Sequence, residues 1–229
     1  MMRSLKLMSI KTRHQPLLLG ILAFSLVYSL YFISKMHGKS LSIQIYWYKN
    51  FLVYLNCLAP LLISTILAIQ SHFEDRRYNA NLVLSLPNRS NWLFRFLLNT
   101  WIIWLINILA CEIPFLFFTQ IPFSLHMMYW ASLAVLNLIW LPILGALSLF
   151  FNFSIVLGVG LIIVPFTIYY GTTPLGTNLE KFLPWVYPAV IIKIFEYGKN
   201  EIFIMITIAM ITFLTENLIL ILTFKGKNK

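Results

Sequence analysis

Charge is scarce in this chain. Only 10% of its 229 residues are Asp, Glu, Lys or Arg, against about 25% in an average soluble domain. That is too little charge to cover a soluble fold of this size. Acid is scarcer than base, with seven carboxylates against seventeen lysines and arginines. There are two cysteines, Cys57 and Cys111, both inside apolar runs. They form no disulfide framework and have no metal-ligand spacing, so they read as small buried hydrophobes. The nine glycines contain no G-x-x-x-x-G-K-[ST] phosphate loop, and neither H-E-x-x-H nor G-x-S-x-G occurs. The chain is therefore expected to hold no catalytic residue, metal or cofactor of its own, and to hydrolyse no nucleotide unaided.

What the chain has is long apolar runs. Hydrophobic residues make up 60% of it, and the mean hydropathy is +0.83. Six segments stand out, near Pro16–Ser34, Trp47–Ile69, Trp92–Phe118, Met127–Phe151, Ile155–Tyr170 and Ile202–Phe224. A helix needs about 20 residues to cross a hydrocarbon core about 30 Å thick. Lipid-exposed backbone must satisfy its own hydrogen bonds, which leaves helices or closed barrels. The runs are continuous and too long for the alternating strands of a barrel. The fifth run is short, contains Pro165 and ends at Gly171. It is expected to reach the far side only with help from the next stretch dipping back into the membrane. The first run is longer than a signal-peptide core and lacks a small-x-small cleavage site, so it reads as a retained span.

The net charge of +10 sits between the apolar runs rather than in an aromatic-laced stripe, which favours a membrane reading over nucleic acid. With the N-terminus inside and six crossings, eleven Lys or Arg fall on the inner side and six on the outer. That satisfies the positive-inside rule and puts both termini in the cytoplasm. Trp47, Trp92, Trp130 and Trp185 lie near predicted segment ends, where indoles prefer to sit. Residues 1–15 alternate apolar and basic positions, as in a short helix lying in the interface. The inner connection 70–91 combines Glu74, Asp75, Arg76 and Arg77 with Leu82, Val83, Leu84 and Leu86 and a Pro87 stop, a pattern for an amphipathic helix on the inner face. The outer connection 172–200 is too apolar for a free loop and is broken by Pro184 and Pro188, so a re-entrant or interfacial helix pair is expected. No repeat or low-complexity linker divides the chain, so it reads as one domain.

Few side chains in the spans are ionisable. Glu112 lies near the outer end of the third segment, just before Pro114, and Glu216 lies within the sixth, nine residues from Lys225. An ionisable group in hydrocarbon is costly unless paired or wet, so both are candidates for the translocation path or a subunit contact. A carboxylate simply bonded to a neighbouring helix, or protonated, is the alternative. His14, His37, His72 and His126 fall near membrane edges in different connections and read as interface or solvent residues.

The stretch SHFEDRRYNANLVLSLPNRSNWLFRFLLNTWI resembles the inner loop between the second and third spans of ABC-2 type transporter permeases, with Glu74, Leu84, Leu86, Pro87, Arg89 and Arg95 matching. The stretch LEKFLPWVYPAVIIKIFEYG is similar to the outer region before span six in the lantibiotic-immunity branch, with Pro184 and Trp185 matching. The resemblance implies an all-α fold of six spans in a bacterial plasma membrane. It implies a second permease, homologous or identical, two copies of a separate ATP-binding cassette ATPase, and an amphiphilic antimicrobial peptide expelled for self-protection. Residues 1–15 would be the interfacial elbow. Ser71 to Asn88 would be the helix coupled to the ATPase, through Glu74, Asp75, Arg76, Arg77, Leu82, Leu86 and Pro87. Pro184 and Trp185 would belong to the outer gate. Asp75-Arg76-Arg77 departs from the lysine- and glycine-bearing run more usual there. Export of another drug or lipid-like substrate, an intramembrane enzyme, and a non-transporting scaffold remain as alternatives.

Overall fold

The computed structural model describes residues 16–77, 89–172, 183–190 and 199–225. All the regular structure among them is helical. The chain forms α1 (Pro16–Met36), α2 (Leu41–Arg77) and α3 (Arg89–Phe118), then a fourth span built in pieces. That span runs from α4 (Phe123–Trp130) through a π turn (Ala131–Val135) and a 3-10 turn (Leu136–Ile139) into α5 (Trp140–Phe150). It is followed by α6 (Phe153–Thr172), a short 3-10 turn (Pro184–Val186) leading into helical backbone at 187–190, and α7 (Lys199–Lys225). Six stretches are long and apolar enough to cross a membrane: Leu19–Met36, Leu41–Ser71, Trp92–Phe118, Phe123–Phe150, Phe153–Gly171 and Phe203–Leu222.

Local chemistry sets the first turn. Gly38 adopts a left-handed conformation, with φ +69, which glycine reaches without a Cβ penalty and which commonly ends a helix. Beside it, the backbone N–H groups of His37 and Lys39 donate to Ile33 and Met36. Ser40 then precedes α2, and its carbonyl accepts from Ile43 and Gln44.

Helix α2 is the centre of the bundle. It packs against α1, α3, α5 and α6 and against both irregular turns of the fourth span, most extensively against α6. Of its membrane-crossing window, 72% is buried, against 11% for α7. Lipid tails are as apolar as leucine, so close packing rather than water exclusion must hold the spans together. Small residues allow it. A Cβ added to Gly160 of α6 would overlap the Ser64 side chain of α2 and meet the Leu61 backbone at 3.3 Å. Rings fill the other side of α2. Phe51 lies 4.5 Å from Phe115 of α3, 5.6 Å from Tyr28 of α1 and 6.2 Å from Tyr129 of the fourth span, centroid to centroid.

The structure changes three details of the expected layout. Helix α2 starts at Leu41, ahead of the expected Trp47, and continues to Arg77. Residues 70–77, expected at the start of a separate coupling loop, are instead the last turns of that same helix, because nothing between Ile69 and Arg77 breaks it. The fifth span is a 20-residue helix with Pro165 inside it. At 1.5 Å per residue that is about 30 Å, enough to cross without help. The interfacial helix expected at 1–15, and Leu82, Leu86 and Pro87, lie outside the described residues.

Gly160→Ala is expected to lower stability in detergent by about 1–3 kcal/mol, the usual cost of overpacking, read from thermal unfolding. Gly158→Ala has nothing within 4 Å of its added Cβ and is expected to leave the midpoint unchanged. Adding Ser64→Gly to Gly160→Ala should recover part of the loss.

Candidate functional site

Polar side chains of α2 face a seam shared with α3 and the fourth span. Tyr48, Asn56 and Gln70 fall within about 80° of one another around the α2 axis at 3.6 residues per turn. Each is buried, and each bonds to another span.

The contact nearest the Gly38 turn joins three spans. The Tyr48 hydroxyl donates to the Glu112 carboxylate, at 2.9 Å from one oxygen and 3.1 Å from the other. It also lies 3.3 Å from His126 Nδ1. His126 and Glu112 are in direct contact as an ion pair or hydrogen bond. Exposure is 0% for Tyr48, 1% for Glu112 and 6% for His126. Tyr48 sits seven residues inside α2, and Glu112 six residues before the end of α3. The cluster is therefore about 10 Å below the helix ends at the Gly38 turn.

One helical stage further in lies the irregular part of the fourth span. A π turn followed by a 3-10 turn frees backbone carbonyls that a regular helix would occupy, and in lipid a bare carbonyl is expensive. Here the three carbonyls are taken by side chains. Trp104 Nε1 donates to Leu133 O at 2.9 Å, Trp101 Nε1 to Ala134 O at 3.3 Å, and Asn137 Nδ2 to Ser132 O at 3.1 Å. Asn137 Nδ2 also donates to Asn56 Oδ1 at 2.8 Å, and Asn56 Nδ2 to Ser132 Oγ at 3.1 Å. Two α3 tryptophans and one α2 asparagine thus hold the break in place. Towards the far end, Thr100 Oγ1 donates to Gln70 Oε1 at 2.8 Å.

The second expected carboxylate belongs to a separate contact. Trp185 Nε1 donates to Glu216 Oε1 at 3.4 Å, and Glu216 Oε2 is buried without a hydrogen-bond partner. Glu216 stands 17 positions into α7. Val186 packs with Val190, Tyr170, Leu183 and Met205.

Of the expected site residues, Glu112, Glu216 and Trp185 fall in these contacts, and Pro184 opens the 3-10 turn that carries Trp185. Glu74, Asp75, Arg76 and Arg77 lie on the last turn of α2. His126, expected at a membrane edge, is buried against Glu112. Tyr48, Asn56, Ser132, Asn137, Trp101 and Trp104 carried no expectation. One signal was available: positions 112 and 126 are equidistant from residue 119, so an antiparallel pairing across that connection brings them to one level.

By its fold the chain is a multi-pass helical membrane protein, with six helical stretches of crossing length among the described residues. Compared with known proteins, it matches no family model, no curated protein and no solved structure.

Trp104→Phe keeps the ring but strips the donor from Leu133 O. It is expected to cost about 1–3 kcal/mol, the price of an unsatisfied buried group. Trp92→Phe, at a half-buried ring on the same helix, is expected to cost less. Denaturant unfolding of the two variants in one detergent makes the comparison.

Proposed function

We propose that the chain is the membrane-spanning permease subunit of an ABC-2 type exporter, energised by two copies of a separate ATPase and paired with a second permease, and that it expels an amphiphilic antimicrobial peptide for self-protection. Both termini then face the cytoplasm of a bacterial cell.

The observation that carries the proposal is the continuity of α2. Its apolar window ends at Ser71, and the helix goes on without a break through Glu74, Asp75, Arg76 and Arg77. Its 37 residues, with Pro60 among them, give a length of about 55 Å along the helix, well over the thickness of the hydrocarbon. The charged turn therefore stands outside the apolar layer, while the same helix forms the centre of the bundle. A push on that end reaches first the stretch beyond Pro60, where Gln70 is bonded to Thr100 of α3 and Ser64 lies against Gly160 of α6, as rigid-body coupling requires. Charge at the protruding end and polar cross-links along the buried part suit a lever. The depth of the Trp185–Glu216 contact supports a re-entrant segment before α7, because a Trp side chain reaches Glu216 only from well below the start of that helix. The Glu112 cluster gives no support to the enzyme alternative: its three side chains are enclosed, and a substrate would have no contact with them in this conformation.

Co-expression with its ATPase is the test. A complex should purify intact, and peptide should stimulate its ATP hydrolysis. Glu74→Ala with Arg76→Ala is expected to abolish the stimulation by at least tenfold or to dissociate the ATPase. Unchanged assembly and unchanged stimulation would remove α2 from the coupling role. Stimulation by a lipid-like drug and not by peptide would move the substrate assignment.

A further inference from the structure

Tyr48, Glu112 and His126 come from three different spans and meet at one enclosed point. Their polar atoms are turned on one another, and rings close the surroundings. Phe115 lies 5.1 Å from the Tyr48 ring, and Phe51 lies 6.1 Å from it. The other titratable side chains facing the cluster are few. From α3 there is Cys111, whose thiol donates to Ser25 O of α1 at 3.5 Å. From the fourth span there is Tyr129, whose hydroxyl donates to Ile108 O at 2.8 Å. Tyr28 of α1 and Cys57 of α2 lie further off, and Lys49 follows Tyr48 on α2, half-buried. Thiols and phenols ordinarily titrate above neutral pH. The exchangeable proton of the site is therefore the one between Glu112 and His126.

Charge conservation then sets how the site behaves. With one proton between them, carboxyl and imidazole are neutral as a pair, whether written as carboxylate with imidazolium or as acid with neutral ring. A second proton leaves the pair at net +1, and removing the first leaves net −1. Either net charge would be enclosed by apolar rings about 10 Å below the helix ends, where a bare charge is strongly disfavoured. Relief requires water, and water requires the spans to part.

The backbone of α3 beside the cluster can yield. Pro114, two residues beyond Glu112 in α3, has no N–H to donate into its helix. At the surface, Gln120 N donates to Gln44 Oε1 at 3.1 Å in an exposed bond. We propose that Tyr48, Glu112 and His126 form a proton-operated clasp: the singly protonated pair holds α2, α3 and the fourth span together at the Gly38 end, and gain or loss of a proton releases them. The clasp depends on no assignment of substrate or ATPase.

The test uses the full chain in lipid nanodiscs, with spin labels at Ser42→Cys and Gln120→Cys. The native Cys57 and Cys111 are buried. Spin–spin coupling between the labels is followed from about pH 4 to about pH 10. Strong coupling is expected at intermediate pH, with loss on both the acid and the alkaline side. Glu112→Gln should keep only the acid loss, since a neutral amide beside His126 leaves only protonation to create charge. His126→Gln should keep only the alkaline loss. Tyr48→Phe removes the hydroxyl that ties α2 to the pair and should weaken the coupling at intermediate pH; wild-type coupling in this variant would remove Tyr48 from the clasp. His37→Gln, at an exposed position of the same end, should change nothing. Coupling independent of pH in the wild type overturns the proposal. So do Glu112→Gln and His126→Gln profiles that both match the wild type, or loss of the acid response in His37→Gln. Should Glu112→Gln or His126→Gln fail to fold, the wild-type, Tyr48→Phe and His37→Gln arms still decide.

Discussion

Inside a bilayer there is no water to take up a spare hydrogen bond, and this one constraint organises the protein. A regular helix meets it alone. The fourth span does not stay regular, and at residues 131–139 its backbone needs side-chain donors. The indoles of Trp101 and Trp104 and the amide of Asn137 supply them. Because the tryptophans sit on α3, and because Asn137 is tied to Asn56 of α2, satisfying one irregular stretch fixes three spans in register. Apolar packing cannot do this by itself, since lipid competes equally for leucine and phenylalanine surfaces. Shape complementarity at Gly160 and directional bonds along the seam together make the bundle specific.

The same constraint explains why Glu112 and Glu216, the two carboxylates within the described spans, sit in company. Glu112 has Tyr48 and His126, and Glu216 has Trp185. These contacts tie α2 to α3, α3 to the fourth span, and the Pro184–Val186 turn to α7. Helix α2 takes part at three levels, with Tyr48 near one end, Asn56 midway and Gln70 towards the other. Its charged last turn continues the same helix. A helix that is both the bundle's centre and its longest element is well placed to transmit movement from outside the apolar layer into it.

The fold was legible in the sequence to the extent that hydropathy records it. Six apolar runs became six helical stretches of crossing length, because in lipid length and composition are nearly sufficient to specify a span. Boundaries were less legible where polar residues continue a helix. The serines and Gln44 at the start of α2 and the charges at its end look like loop by composition, yet no proline or glycine interrupts them. The site was half legible. Glu112 and Glu216 announced themselves as carboxylates in apolar runs, but their partners did not. A tyrosine, an asparagine or a tryptophan in a span looks like ordinary bulk until the helices are brought together. His126 was misjudged because its nearness to a segment end suggested an edge, whereas the helix hairpin turns it inward at the level of Glu112.

The central claim is that side-chain donors, rather than a regular backbone, hold the fourth span intact through its break. Hydrogen exchange read by mass spectrometry on the purified protein tests it most directly. The account predicts that amides at 131–139 exchange as slowly as those of the central part of α2, and that Asn137→Leu speeds them without speeding α2. Fast exchange at 131–139 in the unmodified protein, comparable to that of the exposed Gln120, would contradict it.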